Sequence, residues 1–308
     1  MKKRGIQTIA LLLALGLVGI LPACGSSKKD VITIHDGQFA EMQLIHWMIK
    51  MLVEEHTDAK VEIKDQMTPS NGFQSVVANN SQLRNSYDGT LLTTFLHLDP
   101  KDVPADTTLH DYASQEASKQ YQVHLMPKLG LNNTYAVAVP QEIAQQYQLN
   151  TIGDLAAVAG ELVFGAEHEF FSEEGSAKFR PFTEFYGLEF KDAKQIDLQL
   201  KYSAVESGNI QVTVVYATDG LNRQAKLKIL EDDQHFFPEY NGALLVRDDL
   251  FDTYAEVAPN LEEVLDMLSG QFSDDIMSEM SYQVDVEGRS AEEVAREFLQ
   301  ERELLPAQ

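Results

Sequence analysis

The chain has 308 residues, with 24 Lys and Arg against 48 Asp and Glu, a net charge of −24, 44% hydrophobic residues and one cysteine. The negative excess excludes the basic stripes that nucleic-acid binding needs, the hydrophobic share excludes a disordered chain, and a lone cysteine excludes an internal disulfide. An acidic surface is compatible with a cationic ligand, although such surfaces mostly keep exported proteins soluble.

Met1-Lys2-Lys3-Arg4 is followed by an apolar run over 6–20 and then by Leu21-Pro22-Ala23-Cys24. The basic start, the short apolar segment and the small residues before the cysteine predict a lipoprotein signal peptide over 1–23. Diacylglycerol on the Cys24 thiol would tether the chain to the extracytoplasmic face of a membrane without a spanning helix. A secretory signal with an accidental cysteine, or an uncleaved anchor, is the alternative. Loss of the leader takes the net charge to about −27 and leaves roughly 285 residues, enough for two domains. Nothing else is apolar and long enough to cross a bilayer.

Residues 24–30 read as a polar tether. A strand is predicted over 31–35 and a helix over 38–55, where Phe39, Met42, Ile45, Ile49 and Leu52 recur at helical spacing. Trp47 beside that stripe reads as packing. A strand over 61–64 completes a strand-helix-strand unit, the pattern of an α/β domain with a parallel sheet. The rhythm returns with strands predicted over 135–139, 162–166, 212–216, 226–230 and 243–246, and helices over 151–159 and 176–186. Thr151 and Asp154 stand at capping-box positions in the first of these helices. Helices over 250–258, 261–268, 274–282 and 291–299 follow, several opening on acidic residues that suit the helix dipole. Two α/β units with a helical tail predict two lobes around a cleft.

Motifs for chemistry are missing. The sequence has no phosphate-binding glycine loop and no dinucleotide fingerprint, and no Gly-x-Ser-x-Gly or His-Glu-x-x-His. Glu167-His168-Glu169 lacks a further ligand at metal-binding spacing and reads as an exposed loop. The Asn-x-Ser/Thr matches at Asn79 and Asn132 carry little weight in a bacterial lipoprotein. No enzyme, cofactor or metal is predicted.

Four of the 11 tyrosines stand at turns or strand ends: Tyr87 in Asn85-Ser86-Tyr87-Asp88-Gly89-Thr90, Tyr135 after Asn132-Asn133-Thr134, Tyr216 before Ala217-Thr218-Asp219-Gly220, and Tyr240 closing Phe236-Phe237-Pro238-Glu239-Tyr240. Strand ends and interlobe crossings are where open α/β sheets bind ligands. Spacing alone favours ordinary packing for each ring. Four ring faces around one void would suit a quaternary ammonium group, which has no N–H to donate and is recognised by cation–π attraction, about 0.5–2 kcal/mol per face.

These four segments, in this order and over nearly the whole mature chain, resemble the substrate-binding proteins of ABC importers for glycine betaine, choline and carnitine. The resemblance implies a two-lobed, type II venus-flytrap fold with two crossings, one lobe formed by 31–133 and 240–308 and the other by 134–239. It implies an aromatic box of Tyr87, Tyr135, Tyr216 and Tyr240, help from Thr90 and Asn133, and a permease and an ATPase on separate chains. The chain departs from the family where many members have Lys-x-Phe-Thr-Glu. Here Gly37-Gln38-Phe39-Ala40-Glu41 stands, with Gln38 as a neutral donor. Where many have an arginine after a Glu-Phe pair, Glu169-Phe170-Phe171-Ser172-Glu173-Glu174-Gly175 offers acids, with Lys178 and Arg180 further on, and Asp88 replaces a frequent threonine. A pocket favouring choline, or one of broad specificity served by Thr90 and backbone amides, follows equally. A same-fold receptor for another small solute, such as an amino acid, is the alternative.

Overall fold

The computed structural model describes residues 30–172, 177–197 and 200–306. The leader, Cys24 and the tether up to residue 29 lie outside the described residues, as do Glu173, Glu174 and Gly175 of the acidic stretch.

Among the described residues, ten strands fall into three sheets. β1 (Val31–His35) and β2 (Lys60–Lys64) pair in parallel across the helix Ala40–His56. β3 (Leu83–Tyr87) and β4 (Val123–Asn132) flank β10 (Asn241–Arg247), which runs antiparallel to both. The third sheet is built from β5 (Tyr135–Pro140), β6 (Val163–Ala166), β7 (Asp192–Gln195), β8 (Val212–Tyr216) and β9 (Leu227–Ile229), in the order β7-β6-β8-β5-β9. In it β6 is parallel to β7 and β8, whereas β5 is antiparallel to β8 and β9. The expected parallel sheet is thus only partly realised. The strands that leave and re-enter through the crossings run against their neighbours, so the sheet around β10 is antiparallel and the third sheet is mixed.

The cores divide the same way. Ile32, Leu44, Ile45, Met48, Ile49 and Leu52 pack with Leu268, Met277, Phe298 and Leu299 of the C-terminal helices, so the helical tail seals the first lobe. The second core is phenylalanine-rich, with Phe164, Phe170, Phe182 and Phe237. Full burial of such side chains contributes on the order of 1.5–3 kcal/mol each. The helix expected from Thr151 is a short 3-10 segment, Gly153–Ala157. Its box is made nonetheless: Thr151 Oγ1 accepts from the Asp154 amide at 3.2 Å, and the Asp154 carboxylate accepts from the Thr151 amide at 2.9 Å.

Two crossings join the lobes and are laced together. The Asn133 amide donates to the Tyr240 carbonyl at 3.0 Å. The Tyr240 amide donates to Asn132 Oδ1 at 2.7 Å, and Thr134 Oγ1 donates to the Pro238 carbonyl at 2.7 Å. Asn132 is fixed from the tail as well, its amide donating to Asp274 Oδ1 at 2.6 Å.

Candidate functional site

Tyr135 and Tyr216 are cross-strand partners on β5 and β8, and pleating sends both side chains to one face. Their rings stack at 5.3 Å between centroids with 21° between planes. Phe170 meets Tyr135 edge-on at 5.6 Å and Phe237 lies at 6.2 Å, so the second core supports the pair. Tyr216 remains 36% exposed, leaving ring surface open to a ligand. Burial, then the neighbouring phenol, raises the Tyr135 hydroxyl well above its ordinary range, and the nearby acids Glu167 and Glu169 add to the effect. Burial likewise raises Tyr216, which also feels Glu167, Glu169 and Tyr240. Glu167 and Glu169 thus lie near the rings, the first beside Lys201 and the second beside Lys178.

Tyr87 ends β3, and its hydroxyl donates to Glu41 Oε1. Burial, then the Glu41 charge, raises this phenol well above its ordinary value, and Asn133 and Asn85 lie beside the same hydroxyl. Asn133 Oδ1 is buried and has no hydrogen-bond partner among the described residues, an unpaired acceptor beside Tyr87. Tyr240 leans on Gly89, where a Cβ would come within 2.9 Å of two ring carbons. Thr90 follows Gly89 and is half-buried.

The structure thus joins Tyr135 with Tyr216, Tyr87 with Asn133, and Tyr240 with the turn that carries Thr90. Gln38 is exposed, and the side chain of its segment that touches a site tyrosine is Glu41. Asp88 turns inward, fully buried. Its carboxylate accepts from the Gly89 amide at 2.7 Å and from the amide and Nδ2 of Asn241, each at 2.8 Å. It ties the β3 turn to the returning crossing, a structural task that its place in the Tyr-x-Gly-Thr segment conceals.

Glu41 escaped the sequence reading. It lies in the first turn of the helix Ala40–His56, 3% exposed, and accepts from Tyr87 and, across the cleft, from Thr218 Oγ1 at 2.5 Å. Burial pushes its carboxyl up to about 7, while both hydroxyl bonds pull the other way. A signal was present, because Glu41 continues the stripe of Ile45, Met48 and Leu52 at spacings of four, three and four. A second buried group lies behind the tyrosine pair: Lys201 is 0% exposed and donates to the Val214 carbonyl at 2.9 Å and to Glu167 Oε2 at 3.4 Å. Its charge is engaged by protein partners. Lys178 lies 3.9 Å from Glu169. Among the described residues no group of three or more His, Cys, Asp or Glu gathers as a metal site.

Further along the cleft, Gly220 packs against the backbone of the helix Asp274–Asp285, and Arg223 pairs with Glu279 at 3.0 Å. Together with the Glu41–Thr218 bond, these contacts hold the two lobes against each other.

Comparison with known proteins agrees with this architecture. The chain is 28% identical over 310 residues to the carnitine transport binding protein OpuCC of Listeria monocytogenes, covering 97% of each. It is 28% identical over 311 residues to a glycine-betaine-binding protein of Pseudomonas aeruginosa, covering 95% of this chain and 94% of that one. The fold superposes on a crystal structure described as a glycine betaine/carnitine/choline ABC transporter with a TM-score of 0.79 and 26% identity, over 89% of this chain and 99% of the other. The solved relatives share the type II, two-lobed fold of extracytoplasmic solute-binding proteins. Members of this class bind a substrate for transport and do not transform it. Residues 30–301 match the family model for the substrate-binding domain of ABC-type glycine betaine transport systems, and the chain belongs to that family.

Proposed function

We propose that the chain captures a quaternary ammonium solute, of the choline, glycine betaine or carnitine type, in a cage of Tyr87, Tyr135, Tyr216 and Tyr240. Thr90, Asn133 and Gln38 hold the remainder of the ligand. The cage closes between a lobe of 31–133 with 240–308 and a lobe of 134–239. The observation that carries this reading is the stacked Tyr135–Tyr216 pair, one ring backed by the phenylalanine core and the other partly exposed. Carnitine and glycine betaine, for which these relatives are named, are of the same chemical class. Neutral phenols suit a cation without N–H groups, because each face attracts the charge with no hydrogen bond to satisfy.

Ligand bound to both lobes shifts the population toward the form in which they touch, and a permease distinguishes that form. The permease and ATPase are separate chains, and lipid on Cys24 keeps the receptor beside them at the extracytoplasmic face of the membrane. Among the described residues no helix is long and apolar enough to cross a membrane.

A thermal-shift and calorimetric screen tests the ligand class. Choline, glycine betaine and carnitine raise the melting temperature and bind, whereas common amino acids do neither. Stabilisation by an amino acid alone would transfer the reading to the same-fold receptor for another solute. Metabolic labelling with a fatty acid, lost on Cys24→Ser, tests the anchor.

A further inference from the structure

Four phenol faces attract any trimethylammonium group and do not distinguish a simple cation from a zwitterion. The discriminating element must be a charge. Glu41 is buried, bonded to the hydroxyl of cage residue Tyr87 and, across the cleft, to Thr218. Building on the functional reading above, we propose that Glu41 is a specificity-determining residue that favours ligands of net positive charge, such as choline, over zwitterions such as glycine betaine.

The argument is electrostatic. Glu41 receives hydrogen bonds from two neutral hydroxyls, and the charge acting on it most is another acid, Asp274. From β3 it faces Tyr87, and from the segment after β8 the neutral Thr218. Asp219 beside Thr218 is engaged by the Tyr202 hydroxyl. The helix Asp274–Asp285 contributes Asp274, whose carboxylate accepts from the Asn132 amide at 2.6 Å. The buried cation of β3, Arg84, acts on Tyr87 but donates to the Asn85 and Pro69 carbonyls, and Lys201 of the second lobe is held by Glu167 and the Val214 carbonyl. A cation against Tyr87 therefore meets an uncompensated carboxylate in a water-poor cleft, where opposite charges attract far more strongly than in water. A zwitterion brings a second carboxylate to the same place and loses that gain.

The consequence is a proton linkage. Glu41 titrates near neutrality, so a cation that stabilises its ionised form expels a proton on binding. A ligand carboxylate has the opposite effect, because it is best tolerated while Glu41 carries its proton.

The experiment is calorimetry of choline and glycine betaine at pH 6 and pH 8, with the wild-type chain and with Glu41→Gln. For the wild type, the ratio of choline to glycine betaine affinity is expected to rise about fivefold between pH 6 and pH 8. Choline binding at pH 7 should release protons to the buffer. In Glu41→Gln the ratio should become independent of pH. A wild-type ratio constant across this range, or a pH-dependent ratio that survives in Glu41→Gln, would overturn the proposal. Should the variant fail to fold, the wild-type ratio decides alone. Absence of binding by both ligands would instead defeat the functional reading on which the inference rests.

Discussion

Tyr135 and Tyr216 face each other in register across β5 and β8, their rings stacked at 5.3 Å. Tyr135 is backed by Phe170 and Phe237, whereas Tyr216 is 36% exposed. The pair has an anchored member and an open one. Tyr216→Ala is expected to weaken quaternary ammonium binding at least tenfold, the equivalent of about 1.4 kcal/mol and within the range of one desolvated cation–π face. Its partial exposure predicts little loss of stability. Tyr216→Phe should retain most affinity, since the face is kept. Calorimetry with a parallel urea titration checks both, and unchanged affinity in Tyr216→Ala would remove this ring from the site.

Glu41 makes stability depend on pH in a definite direction. Burial raises its carboxyl from the ordinary 4.5 to about 7. Below the lower value it is protonated in both the folded and the unfolded chain, and no penalty arises. As pH climbs through this window the unfolded chain releases the proton first, so stability falls and then levels off above 7. Glu41→Gln removes that contribution. The stability of the variant relative to wild type should grow by about 3 kcal/mol from pH 4 to pH 8 in the absence of ligand. Urea denaturation at the two pH values measures it, and a difference that does not change with pH would show that Glu41 titrates alike in the folded and unfolded chain.

Most strands of the second lobe and the C-terminal helices were legible because their apolar periodicity is clean. Val212–Tyr216 shows this, a β-branched run found as a strand where expected. The helices Pro69–Val77, Leu109–Tyr121, Gln141–Tyr147 and Lys201–Glu206 were not expected. In the first lobe β1, β2 and β10 stand where expected, whereas β3 and β4 were not legible. β3 reads Leu-Arg-Asn-Ser-Tyr, yet its Arg84 is 3% exposed and donates to the Pro69 carbonyl at 3.2 Å, while the Asn85 amide donates to His46 Nε2 at 3.1 Å. Tertiary partners made this polar segment a buried strand, and no local pattern encodes them. β4 was concealed by Pro127 and Gly130, breakers that its ladder with β10 absorbs through two register shifts. The tyrosines could be singled out by their strand-end positions. The burial of Glu41 could be read from its place in the helical stripe, but its role could not, because that depends on Thr218, 177 residues away.

Gly89 is required by the ring that leans on it. An added Cβ would stand 2.7 Å from the Glu239 carbonyl oxygen and 2.9 Å from two ring carbons of Tyr240. The carbonyl is backbone in the crossing segment, so the ring and its crossing must move together. Gly89→Ala is expected to cost about 1–3 kcal/mol of stability, as overpacking does, and to weaken ligand binding by displacing Tyr240. Calorimetry beside urea denaturation separates the two effects. Wild-type affinity in a folded variant would place Tyr240 outside the cage.

Closure itself is testable at Gly220, where the second lobe rests on the backbone of the helix Asp274–Asp285. A Cβ there would come within 2.4 Å of the Tyr282 amide nitrogen and 2.6 Å of its Cα. Helical backbone cannot yield as a side-chain tip would, so Gly220→Ala should hold the lobes apart while leaving each core intact. The expected result is weaker binding, a larger radius of gyration in saturating ligand than for the wild type, and an unchanged urea midpoint without ligand. Arg223→Ala provides the contrast. The Arg223–Glu279 pair spans the same contact at 3.0 Å, but both side chains are more than a third exposed. Pairs of this kind contribute about 0–1 kcal/mol, so affinity should change by less than about fivefold. Small-angle scattering and calorimetry on the two variants rank the contacts, and normal closure in Gly220→Ala would show that the lobes meet elsewhere in the liganded protein.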